Sequence, residues 1–254
     1  MRLAVVWLVA ACAFDPKKPE QASDAPPMID APVMIDVAPP DGLPDDLVAY
    51  YPMDSLPMID ATGHGHDGTC TDLDSACPTL GSGMIGSSYA FASERVDVMS
   101  GSDLRTESGT VAAWIAFDTL PAGNACPFGA IYMQSSNLDT WQLCRNATDW
   151  IVVLQETGSG MVELPYLQAI NAGDWHYVAI VWTPTLCAFY LDGQLVVSSP
   201  IGQLLWDPTG LFTFGADRLS SGAIDVPITG RIDEVKIFNR DLSQTEIAAM
   251  MQQR

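Results

Sequence analysis

Basic residues are scarce in this chain. Only 11 Lys and Arg stand against 31 Asp and Glu, a formal net charge of −20. Phosphate binding needs clustered cations that displace counterions, so this balance argues against a nucleic-acid partner and, on the same ground, against docking to anionic lipid. No apolar run reaches the ~18 residues of a membrane-spanning helix, so membrane attachment has to come from a lipid or a partner. There are three histidines, no close Cys-x-x-Cys, no Gly-x-Ser-x-Gly elbow and no phosphate-cradling glycine loop. Catalytic machinery is therefore not visible.

Apolar residues are not lacking: 48% are hydrophobic and 17% charged, which is globular composition with a core to bury. The start is different in kind. Met1-Arg2 is followed by the apolar stretch Leu3 to Ala11 and by Val9-Ala10-Ala11-Cys12, a cationic start, an apolar segment and small residues before a cut. These residues resemble the signal of bacterial lipoproteins, which implies cleavage after residue 11 and a lipid on Cys12. Ala13 stands where an Asp would favour the inner membrane, so the resemblance implies an outer-membrane address in the cell envelope. Residues 12 to 46 are rich in Pro, Asp and Ala and lack the apolar mass to offset ordering entropy, so they are expected to form an extended tether. Its reach is on the order of 100 Å at about 3.1 Å per residue. Met-Ile-Asp at 28–30 and 34–36 reads as drift within it.

From 47 to 254 the pattern predicts an all-β antiparallel sandwich. Short apolar or alternating runs lie near 48–52, 89–91, 111–117, 130–133, 141–145, 151–154, 176–182, 187–191, 194–197, 212–215 and 232–239, separated by Gly, Pro, Asn, Asp and Ser. Asp192-Gly193 between two of them predicts a two-residue hairpin turn. One helix is expected at the end, opened by a Ser243/Glu246 capping box with Leu242 and Ile247 as a hydrophobic staple.

Six segments then carry a second resemblance. Leu47 to Asp54, the loop Asp60-Ala61-Thr62-Gly63-His64-Gly65-His66-Asp67-Gly68, Val111 to Ile115, Asp174 to Ala179, Tyr190 to Gly193 and Gly230 to Arg240 resemble, in order, the laminin G-like, concanavalin A-like jelly-roll domains of bacterial surface proteins. Strict alternation along the last strand puts Arg231, Asp233, Val235 and Ile237 on one face, and an inward Asp233 needs a cation. That cation is Arg231 or a metal. The resemblance implies a structural Ca²⁺ where the amino-terminal loop meets the last strand, with Asp54, Asp67 and Asp233 as ligands and carbonyls near Gly63 and His66 completing the shell. Zinc on His64, His66 and Asp67 is the weaker reading, because the remaining histidine, His176, falls on a core strand.

With Cys12 assigned to lipid, five cysteines remain in an oxidising compartment. Cys70 and Cys77 flank a short polar loop and Cys126 and Cys144 bracket a hairpin; these are the expected disulfides, with Cys187 left over, although spacing cannot decide among three. The same architecture hosts glycoside hydrolases, whose paired carboxylates have no counterpart among the seven glutamates; Glu156 and Glu163 come nearest. What remains is binding. Trp141, Trp150 and Trp206 adjoin loops and are the candidate platforms for a sugar, in a non-catalytic module that recognises a glycan or a surface protein. The rivals are a purely structural envelope lipoprotein and a divergent hydrolase or lyase.

Overall fold

Apolar residues at every second position build this molecule, because successive side chains of a strand point to opposite faces. The computed structural model describes residues 43–70, 76–99, 101–131, 139–156, 160–219, 221 and 223–253. The expected signal segment, the expected lipidation site Cys12 and the expected tether as far as residue 42 lie outside the described residues. Contacts divide the chain into Met1–Val37 and Ala38–Arg254, and every described residue belongs to the second unit.

In chain order the strands are β1 (Leu47–Tyr51), β2 (Gly68–Thr69), β3 (Thr79–Ser82), β4 (Ser87–Phe91), β5 (Val96–Met99), β6 (Gly109–Phe117), β7 (Ala125–Ile131), β8 (Asp139–Arg145) and β9 (Asp149–Glu156). They continue as β10 (Gly160–Leu167), β11 (Trp175–Thr183), β12 (Leu186–Leu191), β13 (Gln194–Pro200), β14 (Leu211–Phe214), β15 (Asp217–Arg218), β16 (Ile224–Asp225) and β17 (Gly230–Phe238). One helix, α1 (Gln244–Gln252), follows. The first sheet runs β13-β12-β11-β6-β17-β4-β3, with β1 also paired to β17; the second runs β10-β9-β8-β7-β14-β5-β2. Both are antiparallel, so the expected sandwich is the observed fold.

Val111, Ala113, Ile115 and Phe117 of β6, and Val178, Ile180 and Trp182 of β11, face Trp141, Leu143, Trp150, Val152, Leu154, Phe212 and Phe214 of the second sheet. Each fully buried aliphatic or aromatic side chain of this kind stabilises the fold by about 1.5–3 kcal/mol. Gly109 lies against the Trp182 indole, and a β-carbon there would collide with the ring. The intervening residues of β6 and β11 are buried as well, since α1 covers the outer face of the first sheet. Leu242 and Ile247 pack there with Leu47, Trp114, Tyr177 and Phe238, and the expected capping box is formed by Ser243 and Glu246. Asp192 and Gly193 both adopt positive φ, 51° and 77°, as their hairpin turn requires.

All the anticipated strands appear with shifted ends, though residues 132 and 133 of the one expected at 130–133 lie outside the described residues. Those not anticipated are two-residue ladders or short or edge segments. β10 carries Pro165 and closes one edge of its sheet, where a missing N–H is tolerated. Folded structure also begins slightly before residue 47: Leu43 packs on the outer cluster, and Asp46 pairs with Arg240 and accepts the Asn239 N–H. Cys70–Cys77 and Cys126–Cys144 are disulfides, and Cys187 is a buried free thiol, its pKa pushed up to about 12 by burial.

Candidate functional site

The expected metal ligands divide into two groups. Asp54 and Asp233 meet at the turn Gly83-Met84-Ile85-Gly86 between β3 and β4. Asp233 Oδ2 accepts the backbone N–H of Met84 at 2.8 Å and of Ile85 at 3.0 Å, and Asp54 Oδ1 accepts that of Ser87 at 2.6 Å. Gly83 abuts the Asp233 carboxylate and Gly86, at φ 59°, abuts that of Asp54, so no side chain fits at either place. Asp233 is 0% exposed and its Oδ1 has no partner. Burial pushes its pKa up to about 7, the Glu234 charge adds to this, and the backbone N–H groups of Ile85, Met84 and Glu234 oppose it.

Arg231 is not its counter-ion. It pairs with Asp118 at 3.0 Å and stacks over Trp175. Arg231 and Asp233 both lie on the face away from the core, since Ile232 between them is a core residue, and a bulge follows them: the register of β17 on β6 shifts between Asp233 and Lys236, with Glu234 at φ 54°. Ile232, Val235 and Ile237 therefore share the core, and strict alternation does not hold. Glu234 is itself buried and accepts from the Tyr50 hydroxyl at 2.8 Å and from Lys236 at 3.1 Å.

Asp67, Gly63 and His66 belong to a separate loop organised by Asp60, which the sequence reading did not single out. Asp60 Oδ1 accepts from the N–H groups of Tyr50 and Thr62 and from the Thr62 hydroxyl, and Oδ2 accepts the His66 N–H. Asp67 Oδ1 accepts the Asp60 N–H at 2.8 Å, and the His66 carbonyl accepts the Tyr51 hydroxyl at 2.7 Å. Gly63 donates its N–H to the Asp60 carbonyl. His64 bonds the Val48 carbonyl, His66 bonds Asp103, and His176 bonds Asp192 far along the chain. The five expected ligands do not gather, and among the described residues no group of three or more His, Cys, Asp or Glu is placed to hold a metal. This arrangement does not assemble an oxygen shell for a calcium ion, and four of the eight oxygens of the set already face N–H or O–H donors: Asp54 Oδ1, Asp67 Oδ1, Asp233 Oδ2 and the His66 carbonyl. The Asp60-x-Thr62 turn, a side chain bonding the backbone two residues on, was the signal that would have found this network.

Two of the three candidate tryptophans are core residues. Trp141 is 0% exposed, its ring 5.6 Å from Trp182 and 5.5 Å from Phe212. Trp150 is also 0% exposed, covered by the Arg145 guanidinium at 5.3 Å and by Phe117 and Phe189. Neither can offer a face to a ligand, because alternation with Leu143, Val152 and Leu154 turns both indoles inward.

Trp206 differs. It lies between β13 and β14, half-buried, 6.0 Å from Trp182 and stacked 6.4 Å from Phe212. It lines a cavity of about 300 Å³ with Arg105, Glu107, Pro184, Gln203 and Leu204. Arg105 is anchored by donating to the Pro208 carbonyl at 2.6 Å, and the Leu205 N–H bonds the Gln155 carbonyl, which ties the Trp206 segment to the second sheet. An indole wall beside a guanidinium, a carboxylate and an amide suits a ligand with one apolar face and a rim of hydroxyls. Glu107 is the one carboxylate among the described lining residues. Of the earlier glutamate pair, Glu156 is buried and accepts the Gly202 N–H at 2.8 Å, while Glu163 lines a different cavity.

Comparison with known proteins follows the same lines. Among solved structures the fold is similar to the binding domain of Paraclostridial Mosquitocidal Protein 1, with TM-score 0.65, 12% identity, and coverage of 82% of this chain and 52% of that one. It is similar to the botulinum neurotoxin serotype D ligand binding domain in complex with N-acetylneuraminic acid, with TM-score 0.63, 17% identity, and coverage of 82% and 51%. It is also similar to the binding domain of botulinum neurotoxin DC in complex with rat synaptotagmin II, with TM-score 0.63, 12% identity and the same coverage. The chain thus spans about half the length of these structures. No curated protein matches it in sequence. A family model does match, over residues 91–248, more than half of the chain. With two antiparallel sheets, a carboxy-terminal helix and that match together, the chain belongs to the concanavalin A-like lectin/glucanases superfamily.

Proposed function

We propose that the folded part of this chain is a non-catalytic recognition module that binds carbohydrate or a surface protein through the cleft beside Trp206. The half-buried indole carries the reading. It is held in place by Trp182 and Phe212 and stands over the cavity beside Arg105, Glu107 and Gln203. Its flat apolar face complements one side of a pyranose, and the three polar side chains offer both donors and acceptors to hydroxyls. Glycoside hydrolysis asks for two carboxylates about a cleft, and the described lining supplies one. The similar binding domains solved in complex with N-acetylneuraminic acid and with synaptotagmin II support recognition in this fold.

A glycan array probed with the full chain and with Trp206→Ala tests this. Binding is expected to weaken by about tenfold or more, about 1.4 kcal/mol, while the variant keeps its melting transition. A variant that binds as well as the parent removes the cleft from function.

The same proposal delivers the module on a lipid-anchored stalk, residues 13–42 being the spacer. Cys12→Ser, expressed in bacteria, is expected to lose incorporation of labelled palmitate and to leave the membrane fraction. Unaltered labelling would contradict the anchor.

A further inference from the structure

A second cavity, of about 280 Å³, opens on the outer face of the second sheet and shares no lining residue with the Trp206 cleft. The disulfide Cys126–Cys144, which crosses from β7 to β8, lines it together with Gln142, the outward residue of β8 between the inward Trp141 and Leu143. Gln142 is 7% exposed, yet its Nε2 has no hydrogen-bond partner. Its Oε1 lies 3.2 Å from Cys144 Sγ. That sulfur is half of a disulfide and has no proton to give, so the contact is not a hydrogen bond. A buried amide left unmatched costs about 1–3 kcal/mol per polar group. The rim is strained as well: Val226, β-branched, sits at φ 38° and is held there by the Cys126 N–H bonding to its carbonyl at 2.8 Å.

We infer that this cavity binds an uncharged, hydroxyl-rich small molecule, a single neutral sugar residue. The Gln142 amide would donate through Nε2 and accept through Oε1, and Glu163 and Asp225 would accept from hydroxyls. Charge selects the class. Carboxylates line the cavity and no described Lys or Arg does, so an anionic sugar is repelled. An ammonium group would satisfy the carboxylates and leave the Gln142 donor as it was. A hydroxyl both donates and accepts, and so matches amide and carboxylate together. The volume holds several waters at ~30 Å³ each, room for one small ring rather than an extended chain. This site stands whether or not the Trp206 cleft binds a ligand.

The experiment is a titration of the isotopically labelled full chain with the methyl glycosides of glucose, galactose and mannose, read at the backbone amide resonances of the lining residues Cys126, Cys144, Val153 and Gln155 and, in the parent, also at the side-chain amide of Gln142. At least one neutral glycoside is expected to give a saturable shift. Gln142→Leu is expected to weaken that binding about tenfold or more, Glu163→Gln, at the exposed rim, to weaken it severalfold, and Trp206→Ala to leave it unchanged. The inference is overturned if none of the three glycosides shifts these resonances. It is equally overturned if only N-acetylneuraminic acid or glucosamine does, or if Trp206→Ala abolishes a response that Gln142→Leu and Glu163→Gln keep.

Discussion

Trp141→Ala is expected to destabilise the domain by about 3–5 kcal/mol, the cost of truncating a fully buried aromatic side chain. For a domain of this size each kcal/mol lowers the melting temperature by roughly 2–4 °C, so the transition should drop by about 6–20 °C. The indole is 0% exposed and sits among Phe128, Trp182 and Phe212 at centroid distances of 6.1, 5.6 and 5.5 Å. Removing it leaves a cavity bounded by both sheets, and Trp182, which supports Trp206, loses one of its walls. Its effect on binding should therefore follow the loss of folded protein. Trp206→Ala is expected to show the opposite balance, a small stability change with a large binding change. Urea unfolding of both variants beside their array binding separates the two roles. A Trp141→Ala protein that melts within a few degrees of the parent and has lost its ligand would reverse the assignment of core and platform.

The second large effect is on pH dependence. The Asp233 carboxyl stands at about 7 in the fold against 3.8 as an ordinary side chain. Between about pH 4 and 7 the folded state therefore holds a proton that the unfolded chain has released, and stability falls as pH rises through that window. At about 1.4 kcal/mol per unit the loss is at most about 4 kcal/mol, and it levels off above pH 7. Glu246, held down at about 2 by Arg240 and Ser243, works in the other direction but at the surface, where solvent weakens it. Asp233→Asn keeps an oxygen for the Met84 and Ile85 N–H groups and abolishes the titration, so the variant should lose the downward slope whatever its baseline. Urea midpoints of the parent and Asp233→Asn from pH 4 to 8, in chelator, provide the test. A difference between them that stays flat across pH 4 to 7 refutes the account. A parent that instead gains stability with pH, and only when calcium is added, would put a divalent ion on Oδ1.

The architecture was legible because it rests on a period of two over long stretches. Val111 to Phe117 and His176 to Trp182 alternate toward the core whatever their neighbours do, and Asp-Gly at 192–193 admits few turns. The same rule, applied consistently, would have turned Trp141 and Trp150 inward and Gln142 outward; proximity to a loop was the misleading cue. Asp233 is a different failure. The bulge at Glu234 is made by a residue that is not glycine, so nothing local announces it, and one inserted position exchanges the faces of everything before it relative to everything after. The Asp60 network was hidden because its donors are backbone N–H groups, which every loop has. The Trp206 cleft draws on residues 105, 107, 184, 203, 204 and 206, from segments that only the folded topology brings together.

The pairing of β1 with β17 has a mechanical consequence. A tug on the chain ahead of Leu47, directed along the strand, is resisted by the bonds from Leu47 to Tyr51 acting in parallel, since they run crosswise to the load. The Asp46–Arg240 latch shares the strain at the point where force enters. Were the body held from that end, as proposed, drag on it would load these bonds together instead of peeling them open one at a time.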